Sequence, residues 1–291
     1  AASGDALADA GTPFHTLVVR EEAPSVFHVR LHRPSRGNAM NNEFWGELRR
    51  CFDTLGAHSG CRSIVLSGEG KDFCTGLDLG DMPEALKTLQ RKDLDPARKA
   101  LRTMPQIEVM QESLTAVENC GKPVLVLCHG RCIGGAIDLM CACDMRWACR
   151  QQNPTPTSFS IKEVEIGLAA DLGTLQRIEK VTGNASLVRE WAFTGEFFSV
   201  DDALRGGLIS RVFEDRSSME KKALEFASLI ASKSPVAVNS TKFNLNYARD
   251  HSIQDGLLFM RTWNAAMLQC EDLREAVMAT MMKKVPHFAK L

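Results

Sequence analysis

Six consecutive residues, Pro123-Val124-Leu125-Val126-Leu127-Cys128, carry no side chain that prefers water. A half-exposed strand would alternate polar and apolar positions, so this run predicts a strand buried on both faces, as in a parallel sheet. Parallel strands need long crossovers, which helices supply. Short strands are predicted over 16–20, 26–31, 63–67, 123–128, 145–148 and 208–213. Helical spacing falls over 41–55, 97–119, 174–181, 185–191 and 200–205. Asn41 or Asn42 can cap the first of these helices and Ser199 the last. Beyond 217 only helix signals remain, over 218–231, 235–249 with Pro235 in the first turn, and 253–282. Alternation followed by helices alone means an α/β core, 14–213, with a helical C-terminal region, 214–291.

Charge and composition narrow the partners. A net charge of −1 over 291 residues gives no bulk attraction for nucleic acid or an anionic membrane. No apolar run approaches the roughly 20 residues of a membrane span. The ten cysteines read as reduced thiols. Cys128, Cys132, Cys141, Cys143 and Cys149 cluster without a CxxC pair, which favours buried small side chains over zinc ligands. Residues 1–12 are small and acidic, read as a loose lead-in without the arginines of a transit peptide. Ala289-Lys290-Leu291 differs by one residue from the Ser-Lys-Leu peroxisomal address. The expected location is therefore the peroxisome or a related microbody, with the mitochondrion as the alternative.

Three acids stand where acids are costly. Glu163 and Asp171 lie eight residues apart in Ile161-Lys162-Glu163-Val164-Glu165-Ile166-Gly167-Leu168-Ala169-Ala170-Asp171-Leu172-Gly173. Asp138 lies in Cys132-Ile133-Gly134-Gly135-Ala136-Ile137-Asp138-Leu139. An ionised acid among apolar residues costs several kcal/mol unless paired or protonated, and sites of proton transfer tolerate that cost. For Asp171 the competing reading is a cap on the helix at 174. Two glycine turns accompany the acids: Phe73-Cys74-Thr75-Gly76-Leu77-Asp78-Leu79 and His129-Gly130-Arg131-Cys132-Ile133-Gly134-Gly135-Ala136. Neither is a P-loop or a Rossmann fingerprint. Each could offer one backbone N–H, from Leu77 and from Gly135, and two converging donors make an oxyanion hole. Gly135 would also open a helix whose dipole favours negative charge. Asp78 reads as a turn residue and His129 as a packed one. Met260, Trp263 and Met267 read as core or subunit contact. The combination predicts acid–base chemistry at carbon.

These segments resemble the enoyl-CoA hydratase/isomerase (crotonase) superfamily. The likeness rests on Thr75-Gly76-Leu77-Asp78-Leu79, Gly134-Gly135-Ala136-Ile137-Asp138-Leu139 and Cys143-Asp144-Met145-Arg146. Phe159 to Leu168, Gly173-Thr174-Leu175-Gln176-Arg177, Ala192-Phe193-Thr194-Gly195, 203–209 and Lys233-Ser234-Pro235 extend it over about 14–282. The resemblance implies an α/β spiral of ββα units with a helical C-terminal trimerisation region, as a homotrimer or a dimer of trimers. It implies an acyl-CoA thioester substrate, contacted by Thr75–Leu79 and Gly134–Ala136, with the thioester oxygen on the amides of Leu77 and Gly135. Coenzyme A enters as part of the substrate, and the chemistry asks for no nicotinamide, flavin or metal. Within the family, Asp138, Glu163 and Asp171 are most similar to the three acids of the Δ3,5-Δ2,4-dienoyl-CoA isomerases. Hydratases typically carry a glutamate at the place of Asp138 and a glycine at the place of Asp171. The implied reaction moves a proton from C2 to C6 in unsaturated fatty-acid β-oxidation, with Glu163 and Asp171 as transfer groups and Asp138 beside them. The alternatives are 2-enoyl-CoA hydratase, Δ3-Δ2-enoyl-CoA isomerase, or a non-catalytic RNA-binding member. Two departures stand out: a longer loop at 151–158, read as a surface insertion, and Ala136 where a third glycine is common.

Overall fold

The all-apolar run is a central strand with every residue buried, Val124–Cys128 (β4). In the computed structural model, which describes residues 13–81, 84–150 and 155–291, it pairs in parallel with a strand on each side. These neighbours are Ser63–Gly68 (β3) and Met145–Cys149 (β6). Beyond β3 come Val26–Leu31 (β2), also parallel, and Leu17–Ala23 (β1), antiparallel to β2 at the sheet edge. Arg211–Phe213 (β9) closes the other edge. The expected strand at 208–213 is shortened because the amides of Leu208 and Ile209 both turn back to the Ala203 carbonyl.

One face of this sheet receives Arg216–Ala231 (α8). Met219, Ala223, Ala227 and Ala231 of α8 form its buried stripe, against Val65, Leu125, Leu127 and Trp147. The other face carries Asn42–Ala57 (α1), with Leu48, Cys51, Phe52 and Leu55 fully buried at helical spacing. Each such side chain contributes about 1.5–3 kcal/mol of burial. Asn41 caps α1, its side chain accepting from the Phe44 amide at 3.1 Å, an interaction of about 1 kcal/mol. Pro96–Asn119 (α3) runs alongside α1 and keeps its helical course through Pro105.

A second, three-stranded sheet was not legible from periodicity. It joins Arg131–Ile133 (β5), Ser158–Ser160 (β7) and Phe198–Ser199 (β8), each too short to show a pattern. Gly130 lets the chain pass from β4 into β5. Its φ is +56°, and a Cβ there would sit 2.1 Å from the Lys71 carbonyl oxygen. After β5 comes Gly135–Ala142 (α4), then Thr174–Thr182 (α5), Ala185–Thr194 (α6) and Val200–Arg205 (α7), capped by Ser199 as expected. A short helix at Glu84–Leu89 (α2) was not anticipated.

The C-terminal part corrects one expectation. The stretch 253–282 is not one helix but two, Ile253–Met267 (α10) and Glu271–Met281 (α11), following Pro235–Asp250 (α9). Asp272 at the start of α11 accepts from the Ser234 hydroxyl at 2.6 Å, a tie to the start of α9 that spacing alone does not encode. The predicted N-terminal lead-in and residues 151–154 of the predicted insertion lie outside the described residues.

Candidate active site

The first glycine turn is zipped to residues 37–40. Thr75 donates from its amide (3.0 Å) and its hydroxyl (3.2 Å) to the Gly37 carbonyl. Met40 donates to the Gly76 carbonyl at 2.8 Å, and Asp78 donates to the Met40 carbonyl at 3.0 Å. Met40 and Leu77 therefore form a parallel bridge in which the flanking residues spend the bonds and the Leu77 N–H faces away. Gly76, at φ +86°, lies against the second turn: a Cβ there would sit 2.8 Å from the Ile133 carbonyl oxygen and 3.6 Å from the Gly135 nitrogen. Gly134, at φ +55°, donates to the Ser160 carbonyl at 2.9 Å, which leaves Gly135 as the first residue of α4. Its N–H belongs to the helix turn that has no intrahelical acceptor. The two turns thus meet, and Ala136 packs fully buried behind them.

Asp78 is a turn residue, as read. Burial alone would raise its carboxyl, but hydrogen bonds from Arg33 and from the Gly80 amide outweigh that and hold it below the ordinary range. Leu79 projects into solvent.

The three acids gather beside these turns. Asp138, on the first turn of α4, is 1% exposed, and its carboxylate accepts from the Thr174 amide at 2.6 Å. Burial is the largest influence and pushes its pKa up to about 6; the Thr174 bond opposes this and the Asp171 charge adds to it. Glu163 starts a tight turn, Glu163–Ile166, that ends at Gly167. A Cβ at Gly134 would lie 3.1 Å from one Glu163 oxygen, so the carboxyl rests on the second glycine turn. Its other oxygen, Oε2, is buried without a hydrogen-bond partner. Burial, then the charges of Asp138 and Asp171, raise Glu163 to about 7. Asp171 keeps an exposed surface, and partial withdrawal of its carboxyl from water raises its pKa as well. The capping role considered for Asp171 falls to Asp138, because the residue before α5 is Gly173 and the Thr174 amide is taken by the Asp138 side chain.

Several supporting residues were not singled out from sequence. Gln111 of α3 donates to the Asp171 carbonyl at 2.6 Å. The Ser160 hydroxyl (2.7 Å) and the Lys162 ammonium (3.0 Å) both donate to the Gly195 carbonyl, tying the Glu163 segment to the end of α6. Asn38, at φ +54°, donates to the carbonyls of Glu69, Asp72 and Phe73, bracing the loop that leads to Thr75. Nothing in periodicity flags such contacts, since each joins segments distant in sequence. His129 is packed, as expected: burial first, then the nearby Arg216 charge, lowers it to about 4.

The clustered cysteines 128, 132, 141, 143 and 149 are all buried. Among the described residues, the His and carboxylate atoms near enough to share a cation are those of His15, Glu43 and Glu47. Glu47 already accepts from the amides of His15 and Thr16 and from the Thr16 hydroxyl, so this group fastens β1 to α1.

Comparison with known proteins agrees with this architecture. Residues 21–290 match the family described as enoyl-CoA hydratase/isomerase. The chain is 47% identical to the mitochondrial Δ3,5-Δ2,4-dienoyl-CoA isomerase of Homo sapiens, over 97% of this chain and 84% of that protein. It is 42% identical to the peroxisomal Δ3,5-Δ2,4-dienoyl-CoA isomerase of Arabidopsis thaliana, over 94% of this chain and 96% of that protein. The crystal structure of an enoyl-CoA hydratase from Bacillus anthracis shares the fold, with a TM-score of 0.82 at 23% identity, covering 94% of this chain and 99% of that one. With the α/β spiral, the paired glycine turns and a family match over almost the whole length, the chain belongs to the enoyl-CoA hydratase/isomerase family.

Proposed function

We propose that this chain is a Δ3,5-Δ2,4-dienoyl-CoA isomerase of unsaturated fatty-acid β-oxidation. The observation that carries the reading is a third acid, Asp171, in electrostatic reach of Glu163 and at the place where hydratases typically carry a glycine. Near-half identity to named isomerases supports it. The thioester oxygen sits on the Leu77 and Gly135 amides, where an oxyanion donor in other enzymes is worth about 2.7–4 kcal/mol. Glu163 rests on the turn that carries Gly135 and so is assigned to C2. It takes the C2 proton; the electron pair spreads through the conjugated chain as the C2–C3 and C4–C5 double bonds form. Asp171 delivers a proton to C6. One proton leaves carbon and one arrives, so neither an oxidant nor a reductant is involved. Asp138 keeps the Glu163 carboxyl basic by its negative charge and holds the start of α5.

The deciding assay follows ultraviolet spectra with 3,5-dienoyl-CoA and, separately, 2-enoyl-CoA. Growth of the conjugated 2,4-dienoyl absorbance at a higher kcat/KM than hydration is the expected result. Hydration as fast as isomerisation would replace this reading by hydratase.

Two further assignments belong to the same reading. A trimer, or a dimer of trimers, would cover the apolar side chains left exposed on α9 to α11, among them Leu245, Ile253 and Leu257. Import into a peroxisome through Ala289-Lys290-Leu291 suits the plant relative, while the human relative is mitochondrial. The first residue of the tripeptide and the residue before it are held: Arg62 donates to the carbonyls of Phe288 (2.6 Å) and Ala289 (3.0 Å). A receptor would have to displace those bonds.

A further inference from the structure

Asp171 has a position to keep and little to keep it there. Among the described residues, no other residue donates a hydrogen bond or forms an ion pair with its carboxyl; only its own backbone N–H does. The side chain must therefore be aimed through the main chain of 171–174. Three contacts fix that strip. The Thr174 amide is bonded to Asp138, 2.6 Å away. Gly173, at φ +132°, lies over the Arg177 guanidinium so closely that a Cβ would meet Nη1 at 1.8 Å. Arg177 is itself clamped by Glu118 (2.9 Å) and Thr115 (3.1 Å). The Asp171 carbonyl accepts from Gln111 at 2.6 Å. Gln111, Thr115 and Glu118 are spaced four and three residues apart, so they share one face of α3. That face addresses the strip behind Asp171, and Gln111 is its direct contact with the acid's own peptide.

Resting on the isomerase reading above, we propose that Gln111 is a positioning residue for proton delivery at C6, acting through the backbone of Asp171. A shift near 1 Å at a reacting group can cost about 10²-fold in rate. Only the C6 acid depends on this contact, because Glu163 is held through β7 and the end of α6, and the glycine turns through β5 and residues 37–40.

The test is a double-mutant cycle on kcat for 3,5-dienoyl-CoA, with Gln111→Leu and Gln111→Glu placed in wild type and in Asp171→Asn. Gln111→Leu removes the donor, and Gln111→Glu keeps the shape but offers an acceptor to a carbonyl. Both should lower wild-type kcat about tenfold or more with KM within twofold. In the Asp171→Asn background the same changes should cost less than twofold, because the acid they aim is already gone. An equal fold loss in both backgrounds, or kcat within threefold of wild type for both single variants, would overturn the proposal. Absence of isomerisation by the wild-type protein would instead overturn the activity on which it rests.

Discussion

Glu163 and Asp138 share a cost: each is a carboxyl withdrawn from water, raised to about 7 and about 6 respectively. With Glu163 as base, kcat/KM should fall as pH drops through about 7, where the carboxylate gains its proton. An acid limb well below 7 would remove Glu163 as the base. Replacing either proposed transfer acid, by Glu163→Gln or Asp171→Asn, should lower kcat by about 10²–10⁴ with the fold intact. A variant within threefold of wild type at unchanged thermal midpoint would remove that residue from the mechanism. Stability carries the opposite sign to activity. The folded-state pKa of Glu163 lies above its ordinary value of 4.5, so its stability contribution is whole below about 4.5 and lost as pH rises through about 7. Glu163→Gln should therefore raise the melting temperature relative to wild type at pH 8 and not at pH 4. Equal differences at both values would mean that burial of the charge is not what strains the site.

At the scale of elements, the site depends on two turns meeting backbone to backbone. Gly76 allows this by its positive φ and by its missing Cβ, which would come within 2.8 Å of the Ile133 carbonyl oxygen. Gly76→Ala should force the turns apart and lower kcat by about 10²–10³, the range seen when one oxyanion donor is lost, with a smaller change in KM. Steady-state kinetics check this; a loss confined to KM would place Gly76 in binding and not in stabilising the enolate. The same scale explains the shape of α4 and α5. Asp138 faces across to the amide of Thr174, so the helix that starts at the second glycine turn and the helix that follows Asp171 are fastened to each other. One buried acid thus carries both charge and geometry.

Across the whole molecule, α8 completes the sheet's second face while α10 buries none of its residues in the single chain. Leu257 and Leu258 stay more than half exposed, an unusual fate for neighbouring leucines in a well-formed helix. Sedimentation should give a mass three or six times that of the chain, and Leu257→Glu with Leu258→Glu should shift it downward. A monomeric wild type would refute the subunit-contact role. Removing the last three residues and imaging the protein in cells tests its address. Peroxisomal import lost with the tripeptide is the expected outcome, and unchanged location would show that another signal decides.

What the sequence determined by itself is what local chemistry dictates. The apolar run of β4 demanded burial on both sides, Asn41 and Ser199 supplied oxygen acceptors for helix starts, and the two glycine turns admitted close backbone approach. Glu163, Asp171 and Asp138 were legible as acids out of place, and the resemblance of their motifs gave the family. Tertiary structure decided the remainder. The short strands β5, β7 and β8 exist only because they find partners, since two or three residues are too few to carry a period. The start of α11 is tied down by Asp272 accepting from Ser234, 38 residues away. The capping of α5 by Asp138 and the hold of Gln111 on Asp171 span 36 and 60 residues. Such bonds depend on where folded elements come to rest, which no stretch of neighbouring residues can specify.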